Sequence, residues 1–175
     1  MMAIPSRNSS RESIVRAART FFTTSKTSMG KRLLQSEQNA GLLIDVLRSL
    51  VAERRFQLHD FVIMPDHLHL LFTVNERMTV EKAMQLVKGR FSHRLGKELD
   101  FKGEVWQRGF SEVQVLGNDS FERHRAYIAQ KPVKAGLVNA AEKYPYCFES
   151  LARKKAEERG VAAQGIVGSP ECSRG

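Results

Sequence analysis

The sequence predicts an α+β fold of the ferredoxin-like, split βαβ type, in which four strands form one antiparallel sheet. Segments with strand-like and helix-like apolar periods alternate in the order strand, helix, strand, strand, helix, strand, helix. The 175 residues, of which 42% are hydrophobic, are enough for one domain with a buried core. The first two helices are expected to cover one face of the sheet, and the additional C-terminal helix is expected on the opposite face.

The first half of the predicted domain consists of a strand, a helix and a hairpin. Residues 18–25, ARTFFTTS, are rich in β-branched and aromatic residues and predict the first strand. Residues 36–53 carry apolar side chains at helical spacing, with Ser36 as the N-cap. Residues 56–64 and 67–74 predict two strands joined only by Pro65-Asp66, which requires a hairpin. Because Pro-Asp is an unusual pair for this turn, the register is predicted only to within one residue.

The second half is predicted to contain a helix, a connection and the last strand. Thr79 is the expected N-cap of a helix that runs to about Leu95. Residues 96–108 are a polar connection that contains Trp106, for which we expect a structural role between helix and strand. Residues 110–116 alternate between polar and apolar and predict the fourth strand.

The C-terminal part carries the additional helix, predicted over residues 121–130 and ended by Pro132. The domain is expected to span residues 16–151, with aromatic anchors near its end at Tyr144, Tyr146 and Phe148. Residues 1–15 are polar and are expected to be a disordered arm. Residues 152–175 are charged and then glycine-rich, and they are expected to be a disordered tail.

The charge of the chain points to a polyanionic partner. Lys and Arg number 28 against 19 acidic residues, which gives a net charge of +9 and favours nucleic acid over a membrane surface. We expect no membrane span, because no apolar run approaches the length that one requires. The first residues lack the apolar stretch of a secretory signal, and Cys147 and Cys172 form no CxxC pair. A reducing, cytoplasmic setting follows from these observations.

The segment FVIMPDHLHLLF, residues 61–72, contains the first candidate for chemistry. Because alternate side chains of a strand point to the same face, His67 and His69 are expected to project together. Leu68, Leu70 and Phe72 are expected to face the core on the other side. Two imidazoles on a half-buried strand suit a divalent metal, although the spacing by itself also fits histidines that merely pack or face solvent.

Three motifs in order, FVIMPDHLHLLF, VWQRGF and AYIAQKPVKAGLV, resemble the single-tyrosine HUH transposases. More narrowly, they resemble the REP-associated tyrosine transposases, over roughly residues 18–150. The resemblance implies that His67 and His69 bind a metal and that Tyr127 is the nucleophile. It also implies cleavage of single-stranded DNA, often beside a hairpin, with a 5′-phosphotyrosine and a free 3′-OH as products. A later 3′-OH can reverse the step and join strands.

The same resemblance implies the partners and the setting of the reaction. The expected partner is single-stranded or hairpin-forming DNA, and the expected cofactor is Mg²⁺ or Mn²⁺. A bacterial cytoplasmic protein that joins the nucleoid when bound to DNA is expected. A monomer with Tyr127 acting in its own chain is favoured over a dimer that exchanges the helix.

One position departs from the pattern of these transposases. They usually offer Asn or Gln one helical turn after the tyrosine, just before a proline, where this chain has Lys131 between Gln130 and Pro132. A protonated lysine cannot bind a metal, whereas Mg²⁺ normally prefers oxygen ligands. Gln130 is our candidate third ligand, with water or DNA as the alternative. A third interpretation is that Lys131 weakens metal binding, and Lys131 could also favour the phenolate of Tyr127.

Further residues are expected to support the site or to contact DNA. His124, one turn before Tyr127, is a candidate for supporting the reacting groups or for shuttling a proton. Asp66, beside His67, is a candidate for orienting a ligand histidine, although a turn role also fits it. Basic side chains on the second helix and near the tyrosine are candidates for phosphate contacts, with a solvated helix face as the simpler explanation. These candidates are Lys88, Arg90, Arg94, Lys131 and Lys134.

The sequence therefore favours a metal-dependent, transposase-like endonuclease and strand transferase. The alternative is a catalytically weakened protein that binds DNA hairpins on the same scaffold. A third hypothesis is a histidine-based metal hydrolase that uses water and forms no covalent adduct.

Overall fold

Four antiparallel strands form a single sheet in the order β2-β3-β1-β4. The computed structural model describes residues 17–164, so the predicted arm over residues 1–15 lies outside the described residues. The strands are β1 (Arg19–Lys26), β2 (Gln57–Met64), β3 (His67–Val74) and β4 (Ser111–Val115). This strand order confirms the predicted α+β, ferredoxin-like fold.

Within residues 17–164, four α-helices accompany the sheet: α1 (Glu37–Ala52), α2 (Val80–Leu99), α3 (Gly117–Lys134) and α4 (Phe148–Gln164). Both predicted N-caps are confirmed. The side chain of Ser36 accepts a hydrogen bond from the backbone N–H of Asn39, and that of Thr79 accepts one from the N–H of Lys82. Within residues 17–164, none of the helices is apolar over a length that would cross a bilayer.

The main core lies between one face of the sheet and the first two helices. Leu68, Leu70 and Phe72 of β3 are buried there, as the alternation of the strand predicted. The buried Trp106 belongs to the same core; its indole N–H donates to the backbone oxygen of Lys88, and its ring packs against Phe91. Trp106 therefore ties the connection before β4 to α2.

The hairpin between β2 and β3 has the predicted two-residue turn. Met64 pairs with His67, so that Pro65 and Asp66 alone join the strands. The register is regular from Asp60 to the turn, and one irregularity lies between Leu58 and Asp60. The predicted register is thus confirmed at the end of the hairpin that carries the histidines.

Helix α3 is longer than the sequence predicted at both ends. It was expected over residues 121–130 with Pro132 as its stop, whereas it begins at Gly117 and continues to Lys134. Pro132 lies in the last turns, where a missing N–H costs one hydrogen bond, and its ring is buried. The N–H of Ala135 still donates to the oxygen of Lys131, which carries the helix past the proline. At the other end, Gly117 has a φ of +77°, which lets the chain bend directly from β4 into the helix.

The predicted disordered tail from residue 152 is wrong for residues 152–164, which belong to α4. The segment lacks an apolar stripe, but it is rich in Ala, Lys, Glu and Arg, which are strong helix formers. It is anchored at its beginning, where Phe148 packs against Phe61 and Leu151 packs against the core. Residues 165–175 lie outside the described residues.

Candidate active site

The face of the sheet opposite α1 and α2 carries the polar groups that concern function. Strand pairing places Thr24 of β1 opposite His69 and Lys26 opposite His67. Helix α3 covers part of this face, where Ile128 is buried in a second, smaller cluster with side chains of β2, β3 and β4. The members of that cluster from the sheet are Val62, Met64, Leu71 and Val115. His67 and His69 lie on the same face as this cluster, and His69 contacts Tyr127 of α3.

His67 and His69 lie side by side, with ring centroids 4.8 Å apart and ring planes at 81°. His69 is only 3% exposed. Its Nδ1 lies 2.8 Å from the hydroxyl of Thr24, but its buried Nε2 has no hydrogen-bond partner among the described residues. Because buried polar atoms are nearly always paired, this nitrogen is expected to bind a group other than residues 17–164.

Asp66 fixes the tautomer of His67. Its Oδ1 lies 2.6 Å from Nδ1 of His67, and an ionised carboxylate can only accept, so the ring proton lies on Nδ1 and the lone pair on Nε2. Burial alone would raise the pKa of Asp66, but its hydrogen bond to His67 holds that pKa below the usual value. The predicted orienting role of Asp66 therefore has a contact that can serve it, and its backbone oxygen also accepts from Thr27 at the turn.

Both imidazoles are neutral at physiological pH. Burial lowers the pKa of His69 to about 3, with further lowering by His67 and by the charge of Lys131. Burial also lowers the pKa of His67, against the opposing effect of Asp66. Neutral imidazoles offer lone pairs rather than charges, which is the form that binds metals.

Tyr127 of α3 comes to the same place in the same chain. Its ring centroid is 5.5 Å from that of His69, and the side chain stays 39% exposed. The structure thus brings together the two histidines and the tyrosine that lie 60 residues apart in sequence, from His67 to Tyr127. An exposed phenol beside two buried imidazoles leaves room for a substrate on the solvent side.

Lys131 lies one turn after Tyr127 and faces into this group. Its ammonium donates a hydrogen bond of 3.1 Å to the phenolic oxygen and lies 5.2 Å from the ring centroid. It also acts on the pKa of both histidines, so its charge faces the space between them and Tyr127. Gln130, in contrast, is exposed and makes no hydrogen bond to either histidine within residues 17–164. Its role as a metal ligand remains a prediction.

Phe22 is a central residue of the site that sequence reasoning missed. Its ring lies 5.3 Å from His69, 4.8 Å from His124 and 5.7 Å from Tyr127. The ring of His124 contacts Phe22, and its Nδ1–H donates a hydrogen bond to the backbone oxygen of Ser120. His124 is therefore held beside Phe22. The alternation of β1 predicts that Phe22 and Thr24 share one face of the sheet. It does not predict that this strand pairs with the strand of the histidines, because strand pairing cannot be deduced from alternation alone.

The predicted phosphate contacts divide into two groups. Lys88, Arg90 and Arg94 lie on α2, across the sheet from the histidines, and are engaged within the protein. Lys88 donates to the oxygens of Gln107 and Gly109, Arg90 forms a two-bond pair with Glu53, and Arg94 pairs with Glu98. Lys131 and Lys134 lie on the last turns of α3, near the tyrosine. Three further exposed cations, Lys26, Lys31 and Arg32, belong to the end of β1 and the segment after it. Lys26 is the strand partner of His67.

The donor set limits which metal can be held. Among residues 17–164, no group of three or more His, Cys, Asp or Glu is arranged to bind a metal ion. The chain offers two imidazole Nε2 atoms, and the unpaired Nε2 of His69 fits a ligand role. Any further ligands would be oxygens from an amide, water or phosphate. Mn²⁺ accepts such a mixed set readily, and Mg²⁺ does so when oxygens complete its shell.

Comparison with known proteins gives consistent matches. A family model described as "Transposase IS200 like" matches residues 25–131, more than half of the 175-residue chain. The REP-associated tyrosine transposase of Escherichia coli (strain K12) is 24% identical over 127 residues, which cover 72% of this chain and 73% of that protein. The structure of a REP-associated tyrosine transposase bound to a REP hairpin is similar in fold, with a TM-score of 0.64 at 21% identity, covering 90% of this chain and 88% of that one.

Proposed function

This chain belongs to the IS200-like transposase family, and on that premise we propose that it cleaves and rejoins single-stranded or hairpin-forming DNA through Tyr127. One observation carries the proposal: the ring centroid of the exposed Tyr127 lies 5.5 Å from that of the buried His69. The Nε2 of His69 has no hydrogen-bond partner within residues 17–164. A nucleophile and a metal-binding pair are then adjacent on one surface.

The proposed step is an exchange of phosphodiester bonds. The phenolic oxygen of Tyr127 attacks the phosphorus, the bond from phosphorus to O3′ breaks, and a 5′-phosphotyrosine forms. The phenolic proton leaves to solvent and the departing O3′ gains a proton, so that the strand ends in a 3′-OH. Because a phenolate is a good leaving group, a later 3′-OH can reverse the step without an external energy source.

His67 and His69 would hold the metal through Nε2, with Gln130, water or the DNA as oxygen ligands. A bound Mg²⁺ or Mn²⁺ would neutralise charge on the scissile phosphate. The protein's own part is to keep both imidazoles neutral by burial, to set the tautomer of His67 through Asp66, and to orient His69 through Thr24. Lys131 holds the phenolic oxygen of Tyr127 by a hydrogen bond.

The proposed partner is a DNA hairpin with an unpaired flank. In support, the relative with the similar structure is bound to a REP hairpin, and this chain has a net charge of +9. The tyrosine lies beside the histidines of its own chain, which supports a monomer acting in cis. Single strands and hairpins are recognised by stacking and shape together with phosphate contacts.

The test is an adduct assay with end-labelled hairpin oligonucleotides and Mn²⁺, analysed on a denaturing gel. Wild-type protein should give a covalent protein–DNA band that Tyr127→Phe abolishes. Tyr146→Phe is the matched control and should keep the band, because Tyr146 contributes its backbone oxygen, not its phenol, to the neighbouring strand. An adduct that survives Tyr127→Phe would refute the assignment.

Lys131 is the one residue that favours a second candidate function, in which the protein binds DNA hairpins without cutting them. An ammonium that faces both imidazoles opposes a second cation, and the protein would then bind hairpins without cutting them. Tight, salt-sensitive binding with no adduct at any Mn²⁺ concentration would support this function over cleavage.

A further inference from the structure

Met29 occupies an unusual position on the surface. Of the large apolar side chains in the described residues, it is the most exposed, at 86%. Its backbone is left-handed, with φ 55° and ψ 25°, a conformation that L-residues with a Cβ rarely adopt. Exposure and backbone strain both act against a methionine here, so a folding role does not account for it.

The segment that presents Met29 is rigidly tied to the hairpin that carries the histidines. The N–H of Thr27 donates to the backbone oxygen of Asp66, and the N–H of Leu34 donates to that of Pro65. The single hydroxyl proton of Thr27 is shared between the oxygen of Lys31, at 2.7 Å, and that of Asp66, at 3.0 Å, which closes the turn around Met29. The N–H of Ser28 donates to Val105. The exposed thioether of Met29 is therefore presented by a loop whose backbone is fixed by hydrogen bonds.

Met29 is three residues beyond Lys26, the strand partner of His67. Three exposed cations, Lys26, Lys31 and Arg32, lie within three residues of Met29 in the chain. None of them forms an ion pair within residues 17–164. The acids in this neighbourhood are engaged: Asp66 with His67, and Glu104 with the hydroxyl of Ser28. Because Met29 lies between Lys26 and Lys31 in the chain, a polyanion that contacts both cations would lie close to Met29.

We propose that Met29 is an apolar wedge that stacks on an unpaired base of the DNA flank as the strand enters the site. The inference rests on the proposed function and adds a contact that selects unpaired over fully paired DNA. A thioether presents a polarizable, uncharged surface to a base, and only an unstacked base has a free face to meet it. The cations around Met29 would hold the adjoining phosphates.

The experiment compares wild type with Met29→Gly and Met29→Leu in the full chain. The probe is a DNA hairpin with a short 5′ single-stranded tail, with 2-aminopurine placed at successive unpaired positions. Glycine is at ease in the left-handed region, so Met29→Gly should fold with an unchanged or higher Tm. Its affinity for the tailed hairpin should nevertheless fall about tenfold, as expected for loss of one stacking contact, and Met29→Leu should retain affinity.

Two further readouts separate a wedge from a general surface effect. The slope of affinity against salt should not change in Met29→Gly, because no charge is lost. The fluorescence change at one tail position should disappear in Met29→Gly and persist in Val161→Ala, a control at an apolar residue of similar exposure, 72%, on α4.

Equal affinity of wild type and Met29→Gly for the tailed hairpin would overturn the wedge while leaving the proposed function intact. Failure of wild type to bind the hairpin at all would overturn both. A loss of affinity in Met29→Gly that is equally large for fully paired DNA would also overturn the wedge, because stacking requires an unpaired base.

Discussion

Individual side chains of the site hold one another through hydrogen bonds and ring contacts. Thr24 and Asp66 each engage the Nδ1 of one imidazole, so Nε2 is the nitrogen left for a further ligand in both rings. Phe22 packs between His69, His124 and Tyr127 and keeps this side of the site apolar. This arrangement keeps the imidazoles neutral while the tyrosine stays accessible.

Asp66→Ala should weaken Mn²⁺ binding by roughly tenfold, because partners of metal-binding histidines typically contribute at least that much. Without the carboxylate, the proton of His67 can move to Nε2 and block the lone pair. The affinity is measured by calorimetric titration of the DNA-free protein. Asp45→Ala, at an exposed position on α1, is the control and should leave affinity unchanged. An Asp66→Ala protein with wild-type affinity would show that the contact is only part of the turn.

Lys131→Gln should strengthen Mn²⁺ binding, by roughly tenfold, because it removes a positive charge that faces both imidazoles and supplies an amide oxygen. Lys134→Gln, one turn away and exposed, is the matched control. It should weaken DNA binding through the loss of one phosphate contact, and it should leave Mn²⁺ affinity unchanged. Calorimetry for Mn²⁺ and salt-dependent anisotropy for DNA measure the two effects. Unchanged Mn²⁺ affinity in Lys131→Gln would mean that its charge does not reach the metal position.

At the scale of elements, the free edge of β2 is covered by the segment before α4. The N–H of Ile63 donates to the oxygen of Tyr146, and the buried hydroxyl of Tyr144 donates to the oxygen of Ile63 over 2.5 Å. Burial raises the pKa of Tyr144 to about 12, so the phenol stays protonated and keeps this bond. The segment thereby protects a strand edge that would otherwise be exposed.

Tyr144→Phe should lower the free energy of unfolding by about 1–2 kcal/mol, because it leaves the buried oxygen of Ile63 without this donor. Tyr146→Phe should cost less than 0.5 kcal/mol, roughly the size of an ordinary peripheral change, since its pairing uses the backbone. Urea unfolding of both variants measures the difference. Equal stabilities would contradict the assigned role of the Tyr144 hydroxyl.

The elements that the sequence predicted well are those with a strong period or a clear cap. Ser36 and Thr79 identified the starts of α1 and α2, and the alternation around His67 gave both faces of β3. Helix α3 was predicted too short because Pro132 was taken as a stop, although a proline in the last turns costs only one bond. Helix α4 was missed because it has helix-forming residues but almost no apolar face. Phe22 could not be assigned to the site, since the pairing of β1 with β3 is a long-range property.

At the scale of the whole molecule, the two faces of the sheet differ in whether their cations are paired with other groups of the protein. On α2, the cations predicted to bind DNA are held by Glu53, Glu98 and backbone oxygens. On the other face, Lys26, Lys131 and Lys134 form no ion pair within residues 17–164. The net charge of the chain therefore did not distinguish the cations that the fold pairs from those that it leaves without an acidic partner in this part of the chain.

This same face carries a largely buried carboxyl, that of Asp60, whose ionisation destabilises the folded state. Asp60 of β2 lines a cleft of about 450 Å³ between α3 and α4, and its side chain is 13% exposed. Burial raises its pKa from 3.8 to about 6, against the weaker effects of the Phe61 N–H and Arg125. The folded state therefore holds the proton more tightly than the unfolded state. The stabilisation that this gives is complete below about pH 4 and is lost as pH rises through about 6.

Asp60→Asn should therefore be more stable than wild type at neutral pH, and equally stable in acid. The rise of about two pKa units, at about 1.4 kcal/mol each, sets the expected gain at about 2–3 kcal/mol, and this net rise already includes the opposing effect of Arg125. The amide oxygen of asparagine can still accept from the N–H of Phe61, so the local hydrogen bond survives. Urea unfolding at pH values below 4 and above 7 measures the difference, with Asp45→Asn as an exposed control. If Asp60→Asn is destabilised at neutral pH, the ion pair with Arg125 outweighs burial, and Asp60 anchors α3 by charge instead.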